Sequence, residues 1–426
     1  MVATMMPVEE ARERILAFVR RLEDEEKPLL DALGQVLAED VRAPFAIPTL
    51  PNTAMDGYAV VAASTAGASP EHPVELRVIG ELAAGYVFEG RVEPGTAVRI
   101  MTGAPIPAGA DAVVPFEETD ESGLSAPRAT GRVARTVRVL KEAAPGANIR
   151  PAGDDVREGE VVLPRETLLG PAQIGVLASL GRTRVRVTRR PVVAILSTGD
   201  EVVAPGEPLR PGQLYDSNGW SLAAAVREAG GIPRSLGIAR DTVEDLTAKL
   251  RAGLDADLII TSAGVSRGDY DVVKEVLRRE GEITFHLVNM RPGKPLAFGI
   301  LRDAATGRAV PHLGLPGNPV SSLVAFELFG RFAIQKMLGR PPAPRPEVWA
   351  TTRDRLRMSD ARRFYARVIV EREGDGYICR LAGSQSSGAL SALARANGLA
   401  VVPEGSPDVQ PGERVRVMLL DSSLLA

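Results

Sequence analysis

The polar residues best placed to do chemistry in this 426-residue sequence stand in short segments broken by glycine or proline. In PNTAMDGYAV, Asp56 precedes Gly57, a combination that holds a carboxylate at a tight turn before a strand. In RPAGDD, Asp154 and Asp155 follow Arg150; adjacent carboxylates repel, gain from a cation, and are the oxygen donors that Mg²⁺ takes. STGDE brings Thr198, Asp200 and Glu201 to the end of an apolar run, and YDSN places Asp216, Ser217 and Asn218 where the next helix should begin. These side chains suit ligand contacts and helix capping equally well. SAGVSRGDYD supplies Gly264, Ser266, Gly268, Asp269 and Asp271, a loop able to follow a substrate closely. RPGKP sets Arg291 and Lys294 around Gly293: arginine meets phosphate as a bidentate fork, lysine as a movable point charge. LPGNPVSS (Pro316, Gly317, Asn318, Pro319, then Ser321 and Ser322) opens an apolar helix, a place suited to anions. Taken singly, each segment is also explained by ordinary turn and cap chemistry.

Several reaction classes lack their residues. His72, His286 and His312 form no metal motif, and the single Cys379 excludes an intrachain disulfide and a multi-cysteine metal site and reads as a packing residue. Neither G-x-x-x-x-G-K-[ST] nor a strand followed by G-x-G-x-x-G occurs, which argues against a P-loop ATPase and an ordinary dinucleotide oxidoreductase. The 51 basic and 54 acidic residues nearly cancel, leaving no global field for nucleic acid or an anionic membrane, so any anion site must be local. Only six basic residues are lysine, which makes Lys294 easier to weigh. The start MVATMMPVEEARERIL puts acids where a signal peptide has basic and apolar residues, no long apolar run follows, and cysteine is scarce, so a soluble cytoplasmic protein is expected.

The elements that must hold these residues can be read from periodicity. Apolar residues at spacings of three and four predict a helix from Pro7 to Leu22 and a second short one over 29–41, with Glu23–Lys27 as a solvated connection between them. From Pro44, short apolar runs alternate with glycine and proline, a β-rich pattern reaching about residue 146. PAQIGVLASLG reads as a short packed helix, and alternating Arg182, Arg184 and Arg186 as one wet face of a strand. Residues 191–336 alternate strand and helix periods, the mark of a βαβ domain whose active loops lie beyond the strands' carboxyl ends. STGDE and SRGDYD lie there. GRPPAPRPEV reads as a linker to a final β-domain.

The ordered set PNTAMDGYAV, MTGAPIPAGADAVV, STGDE, YDSN, SAGVSRGDYD, RPGKP and LPGNPVSS resembles the molybdopterin molybdenumtransferase family, which includes the cofactor domain of gephyrin. The resemblance covers nearly the whole chain. It implies a multi-domain α/β plus β protein: an elongated dimerisation domain (1–45 and 147–187), an inserted β-rich domain (46–146), a three-layer α/β molybdopterin-binding domain (188–340) and a C-terminal β-barrel-like domain (341–426). The implied reaction inserts molybdate into the dithiolene of adenylylated molybdopterin, with Mg²⁺-dependent phosphoanhydride cleavage and release of AMP. The family's acidic functional positions fall at Asp56, Asp155, Glu201, Asp241 and Asp271, as contacts to Mg²⁺ or molybdate, with Asp154 a secondary candidate. Its basic substrate positions fall at Arg291, where some members have lysine, and Lys294. Thr102, Arg150, Thr198, Asp200, Asp216, Ser217, Asn218, Gly264, Ser266, Asp269, Gly293, Pro316, Gly317, Asn318 and Pro319 are the further substrate-binding candidates. A homodimer, and contact with molybdopterin adenylyltransferase for substrate transfer, are the implied partnerships, with no nucleic acid or membrane. A tungstate-preferring insertase, a nucleotide-binding module without turnover and a scaffold are the competing readings.

Overall fold

Val192–Thr198 (VVAILST) and Leu258–Ser262 (LIITS) carry apolar residues on both faces, the composition of strands covered above and below. The computed structural model describes residues 5–121, 135–263 and 271–421. In it these strands are central neighbours in a six-stranded sheet ordered Ile232–Ala239, Val192–Thr198, Leu258–Ser262, Ala309–Leu315, Pro295–Arg302, Gly281–Leu287. The first four are parallel, and Pro295–Arg302 runs antiparallel to the neighbour on each side of it. Because side chains alternate along a strand, Val193 and Ile195 face one side and Ala194 and Leu196 the other. The first side is covered by Leu222 and Val226 of the helix Ser217–Glu228 and by Val320, Val324 and Phe326 of the helical run that starts at Pro319. Leu246 and Leu250 of Val243–Arg251, with Val273, Val276 and Leu277 of Asp271–Glu280, cover the second. The result is a three-layer α/β domain. From Val192–Thr198 the chain winds first to one side and then to the other, so a topological switch point lies where Val192–Thr198 and Leu258–Ser262 end.

The last β-region closes on itself. Arg363–Glu373 pairs with both Gly376–Leu381 and Gly398–Val402, and Arg414–Leu419 and Glu347–Thr352 complete the ring, leaving a barrel without free edges among these five strands. Phe364, Ala366, Val368, Cys379, Val402 and Val417 fill its interior. Cys379 is 1% exposed there and burial pushes its thiol up to about 11, so it is a packing residue. Tyr365 faces the other way and joins the core that Val8, Ala11 and Ile15 of the helix Val8–Ala17 share with the α/β domain. One short strand of that domain, Met290–Arg291, pairs in parallel with Arg363–Phe364.

By contacts the chain forms two compact units: Met1–Ala38, Glu166–Ile174 and Arg184–Ala426 in one, Glu39–Arg165 and Gly175–Thr183 in the other. The second unit is built on a five-stranded sheet, Ala112–Pro115, Gly57–Val60, Thr96–Ile100, Val74–Leu82, Thr136–Val139, which is the inserted β-domain read from the sequence.

The N-terminal reading needs correction. The first helix stops at Ala17, because the chain then turns to give the Leu22 N–H to the Met337 carbonyl at 2.9 Å. The expected solvated connection is a strand, Asp24–Pro28, antiparallel to Arg184–Thr188; its charges pair locally, as in Lys27–Glu25 and Glu26–Arg184, and hide the pattern. The second helix over 29–41 does not form. Only Leu30–Ala32 makes a turn, Gly34 follows at φ +77°, and Gly34, Leu37 and Leu169 spend their N–H groups on the carbonyls of Leu169, Thr167 and Gln35. Partners distant in sequence therefore outcompete the local helical pattern.

Candidate active site

At the switch point the structure has a polar cavity of about 640 Å³, lined by Ser197, Thr198, Glu201, Tyr215, Asp216, Ser217, Asn218, Ser262, Ala263, Gly317, Asn318 and Pro319. Each strand end contributes something different. Asp216 caps the helix Ser217–Glu228: one carboxylate oxygen accepts from the Gly219 N–H at 2.8 Å and from the Ser197 hydroxyl at 2.9 Å. Glycine at 219 leaves room for this cap, since a Cβ there would lie 2.4 Å from the Asp216 carboxylate and displace it. Asn218 ties its own helix start to two strand ends, its amide nitrogen donating to Ser262 Oγ at 2.6 Å and to the Gly317 carbonyl at 2.7 Å. Its amide oxygen is buried and has no partner among the described residues. Ala263, at φ +88°, holds a backbone conformation that costs a non-glycine residue energy, at the point where the strand feeds the SAGVSRGDYD loop. Asn318 starts the next helix without using its side chain as a cap, and Pro316 is buried behind it. Asp200 accepts the Asp241 N–H at 3.2 Å, so those two acids stand together at the neighbouring strand ends.

Beyond the first turn of the helix that begins at Pro319 lies a second cavity, about 650 Å³, lined by cations. Arg291, Gly293 and Lys294 meet Arg355, Arg357 and Arg362 there. The two cavities share a partition, in which the Val320 N–H donates to the Ser387 carbonyl at 3.1 Å. Gly293 adopts φ +101°, and a Cβ on it would lie 2.7 Å from Met290 Cε, so RPGKP requires its glycine. Arg355 pairs with Asp408 and Arg362 with Asp360, each at 2.6 Å; no ion pair to Arg291, Lys294 or Arg357 occurs among the described residues. Burial, and then the neighbouring Arg362, lower the Arg291 pKa, while Asp360 opposes them. Behind Gln385 in the cleft wall sits Arg367, fully buried. Its Nη2 donates to the Ser384 and Ser386 carbonyls, while Nε and Nη1 have no hydrogen-bond partner among the described residues. Burial, reinforced by Arg291, pushes its pKa down to about 10.

The other unit carries the remaining candidates. Asp56 Oδ1 accepts the Thr102 N–H at 2.6 Å and its hydroxyl at 2.7 Å, and these two bonds hold the carboxyl below its usual range. Arg150 lies opposite Asn52 in a short antiparallel pair, and Asp154 and Asp155 are exposed in the loop 151–160. Gly264, Ser266 and Asp269 lie outside the described residues, and Asp271 opens the helix Asp271–Glu280.

Three family models account for most of the chain: the MoeA N-terminal region (domains I and II) matches residues 6–181, a probable molybdopterin binding domain residues 194–336, and the MoeA C-terminal region (domain IV) residues 350–420. Molybdopterin molybdenumtransferase 2 of Mycobacterium tuberculosis is 40% identical over 420 residues, 97% of this chain and 99% of the relative. The chain belongs to the molybdopterin molybdenumtransferase family. The Nostoc molybdopterin molybdenumtransferase is 38% identical over 91% of this chain and 87% of its own length. A crystal structure of a molybdopterin biosynthesis MoeA protein from Pyrococcus horikoshii superposes with a TM-score of 0.79 at 30% identity, covering 98% of this chain and all of that one.

Within this family fold the sequence reading missed the contribution of the C-terminal barrel. Arg355, Arg357, Ser359, Arg362 and Phe364 line the cationic cleft, and Arg367 stands behind it. One signal was available: Arg367 interrupts the otherwise apolar run FYARVIV, where an arginine must be buried or turned outward. Among the described residues no three acidic, histidine or cysteine side chains are grouped as a complete metal shell.

Proposed function

We propose that this chain inserts molybdate into adenylylated molybdopterin, cleaving the phosphoanhydride and releasing AMP. The observation that carries this reading is the polar cavity at the switch point, lined mainly by the segment that matches a molybdopterin-binding domain and beside a cleft in which Arg291, Lys294 and Arg357 have no ion-pair partner among the described residues. Each cavity is within the size range of small-molecule sites. Thr198, Ser217, Asn218, Gly317 and Asn318 offer hydroxyl, amide and backbone groups to the pterin and phosphate portion of the substrate. Arg291 and Lys294, with Arg357 beside them and Arg367 behind, hold the oxyanion. A dianion is what such a cluster lacks, since gathering cations without counter-charges is unfavourable and binding relieves it. The partition of residues 319–321 and 387–388 then keeps the two reactants adjacent, so insertion becomes a reaction between held groups.

The Mg²⁺ of this reading would be held by one or two carboxylates together with substrate phosphate and water, the usual arrangement for this metal, since among the described residues no three such side chains form a complete shell. When bound, it neutralises phosphate charge. Glu201, which lines the polar cavity, and Asp241, beside Asp200, are the carboxylates we assign to it in this unit, with Asp271 at the following helix. For Asp56 and Asp155 we retain the acidic role the resemblance implies, and for residues 1–45 with 147–187 that of a dimerisation domain. Molybdopterin adenylyltransferase is the proposed donor and the cytoplasm the proposed location. Among the described residues no helix is long and apolar enough to cross a membrane.

The test is an assay of the purified protein with adenylylated molybdopterin, Mg²⁺ and separately supplied molybdate or tungstate, measuring AMP and metal-loaded cofactor. Oxyanion-stimulated AMP release matched by loaded cofactor is expected, the preferred oxyanion naming the metal. Glu201→Gln should slow it by roughly 10- to 100-fold. Arg367→Met should weaken oxyanion binding about tenfold with little net change in stability, because relief of a buried charge without a counter-charge offsets the two hydrogen bonds lost to the Ser384 and Ser386 carbonyls. Substrate binding with no oxyanion-dependent product would leave a binding module instead.

A further inference from the structure

Arg291 reaches the cleft from the α/β domain, and the barrel holds its side chain from several directions. The parallel pairing of Met290–Arg291 with Arg363–Phe364 sets Arg291 directly opposite Phe364. The guanidinium carbon then lies 3.8 Å from the centre of the Phe364 ring, a close stacking contact. Along its edge, Nη1 donates to Ser359 Oγ and Nη2 to the Arg357 carbonyl, the latter at 2.8 Å. Phe364 itself is 3% exposed and anchored in the barrel interior, so the surface on which the guanidinium rests cannot swing. We propose that Phe364 and Ser359 are positioning residues that clamp the Arg291 guanidinium as a fixed fork, and that this clamp sets the affinity of the cleft for its tetrahedral oxyanion. The inference rests on the reading of the cleft as the oxyanion site.

The physical argument concerns what a free arginine would do. A long side chain with Arg362 and Arg367 near it, and only Asp360 attracting it without an ion pair, would turn toward water unless something held it, and ordering it on binding would cost rotamer entropy. Stacking and two hydrogen bonds spend that entropy during folding, before the oxyanion arrives. The remaining donors of the fork then face a ligand at no further ordering cost. A lysine at 291 could use only part of this: an ammonium can sit over the ring as a point charge and donate a hydrogen bond, but it has no plane to stack and no fork to fix. The clamp and the arginine are therefore coupled, and that coupling separates positioning from mere structural support.

The experiment measures molybdate affinity by equilibrium dialysis, and KM for molybdate and kcat from AMP release, in full-length Phe364→Leu, Ser359→Ala, Arg291→Lys and the Phe364→Leu/Arg291→Lys double variant. Phe364→Leu and Ser359→Ala should each raise the molybdate Kd, about tenfold and about threefold respectively, with KM rising more than kcat falls. Arg291→Lys should cost about tenfold alone but under about twofold when Phe364 is already leucine. Additive losses, or a Ser359→Ala variant that binds like wild type, would overturn the clamp. Arg291→Ala and Lys294→Ala serve as reference: if they lose molybdate while the clamp variants keep it, only the clamp fails, whereas unchanged binding in both removes the oxyanion site itself. Should Phe364→Leu unfold, shown by a lowered thermal midpoint, Ser359→Ala alone decides.

Discussion

His312 sits within the central sheet at 2% exposure, its Nε2 3.1 Å from Thr261 Oγ1 and its Nδ1 without a partner among the described residues. Burial pushes its pKa down from 6.5 to about 3. In the unfolded chain the ring takes up a proton near the ordinary value, while in the fold it stays neutral. Between pH 6.5 and about 3 the unfolded state thus binds more protons, and stability falls as the pH falls, by at most ~1.4 kcal/mol per pH unit. Urea unfolding of the wild type should lose stability between pH 7 and pH 5, and His312→Leu should flatten that acid limb. Parallel curves for the two proteins would show that His312 is not the titrating group. The same arithmetic explains why this histidine is a poor choice for catalysis: it is held neutral and shut away from both cavities, whereas Arg367, equally buried, keeps its charge and stands at a cavity wall.

At the scale of elements, the helix Ser217–Glu228 shows how a binding motif is also a piece of folding. Asp216 spends one carboxylate oxygen on the Gly219 N–H and on Ser197, which is itself 3% exposed. Removing it by Asp216→Ala takes away an N-cap, about 1 kcal/mol, and strands a buried hydroxyl, so a total of roughly 1–3 kcal/mol is expected by chemical denaturation. Asp216→Asn should restore most of that stability, and a defect in substrate binding that persists in the asparagine variant would assign the charge a role beyond capping. A wild-type midpoint for the alanine variant would show that the cap contributes nothing. Asn218, two residues on, is different in kind: it joins the helix start to two strand ends and still has an amide oxygen without a partner among the described residues. From the string YDSN both readings were open for every polar residue; the hydrogen bonds divide them. The strand Asp24–Pro28 teaches the complementary lesson, since DEEKP has no apolar alternation and was unreadable without Arg184–Thr188 beside it.

For the whole molecule, the decisive feature is that the α/β domain and the C-terminal barrel of one unit share a core. Tyr365, Leu399, Val401 and Met418 of the barrel pack in the cluster that contains Val8, Leu222, Val324 and Phe329. A fragment ending at residue 340 would expose that face and lose more than half the lining of the cationic cleft. It should bind a hydrophobic dye, unfold at a lower temperature than the full chain and show no molybdate affinity. A fragment that unfolds like the full chain and still binds molybdate would mean that the barrel is dispensable to both core and cleft.

By itself the sequence determined what is local. Two-faced apolar runs such as VVAIL and LII dictate buried parallel strands, glycine and proline dictate the breaks, and the ordered motifs between them carry the family and place Thr198, Glu201, Asn218 and Gly317 at the strand ends. Tertiary structure alone decided which side chains are spent and which remain for a ligand. Asp216 is used on a cap, residues 29–41 pair with distant strands rather than coil into a helix, and Arg291 meets Phe364 across a pairing that joins the α/β domain to the barrel. The physical reason is range. Side-chain period and turn geometry act between neighbours and leave a trace in the order of residues, whereas strand register, burial and the clustering of like charges depend on segments far apart in the chain, and no local spacing encodes them.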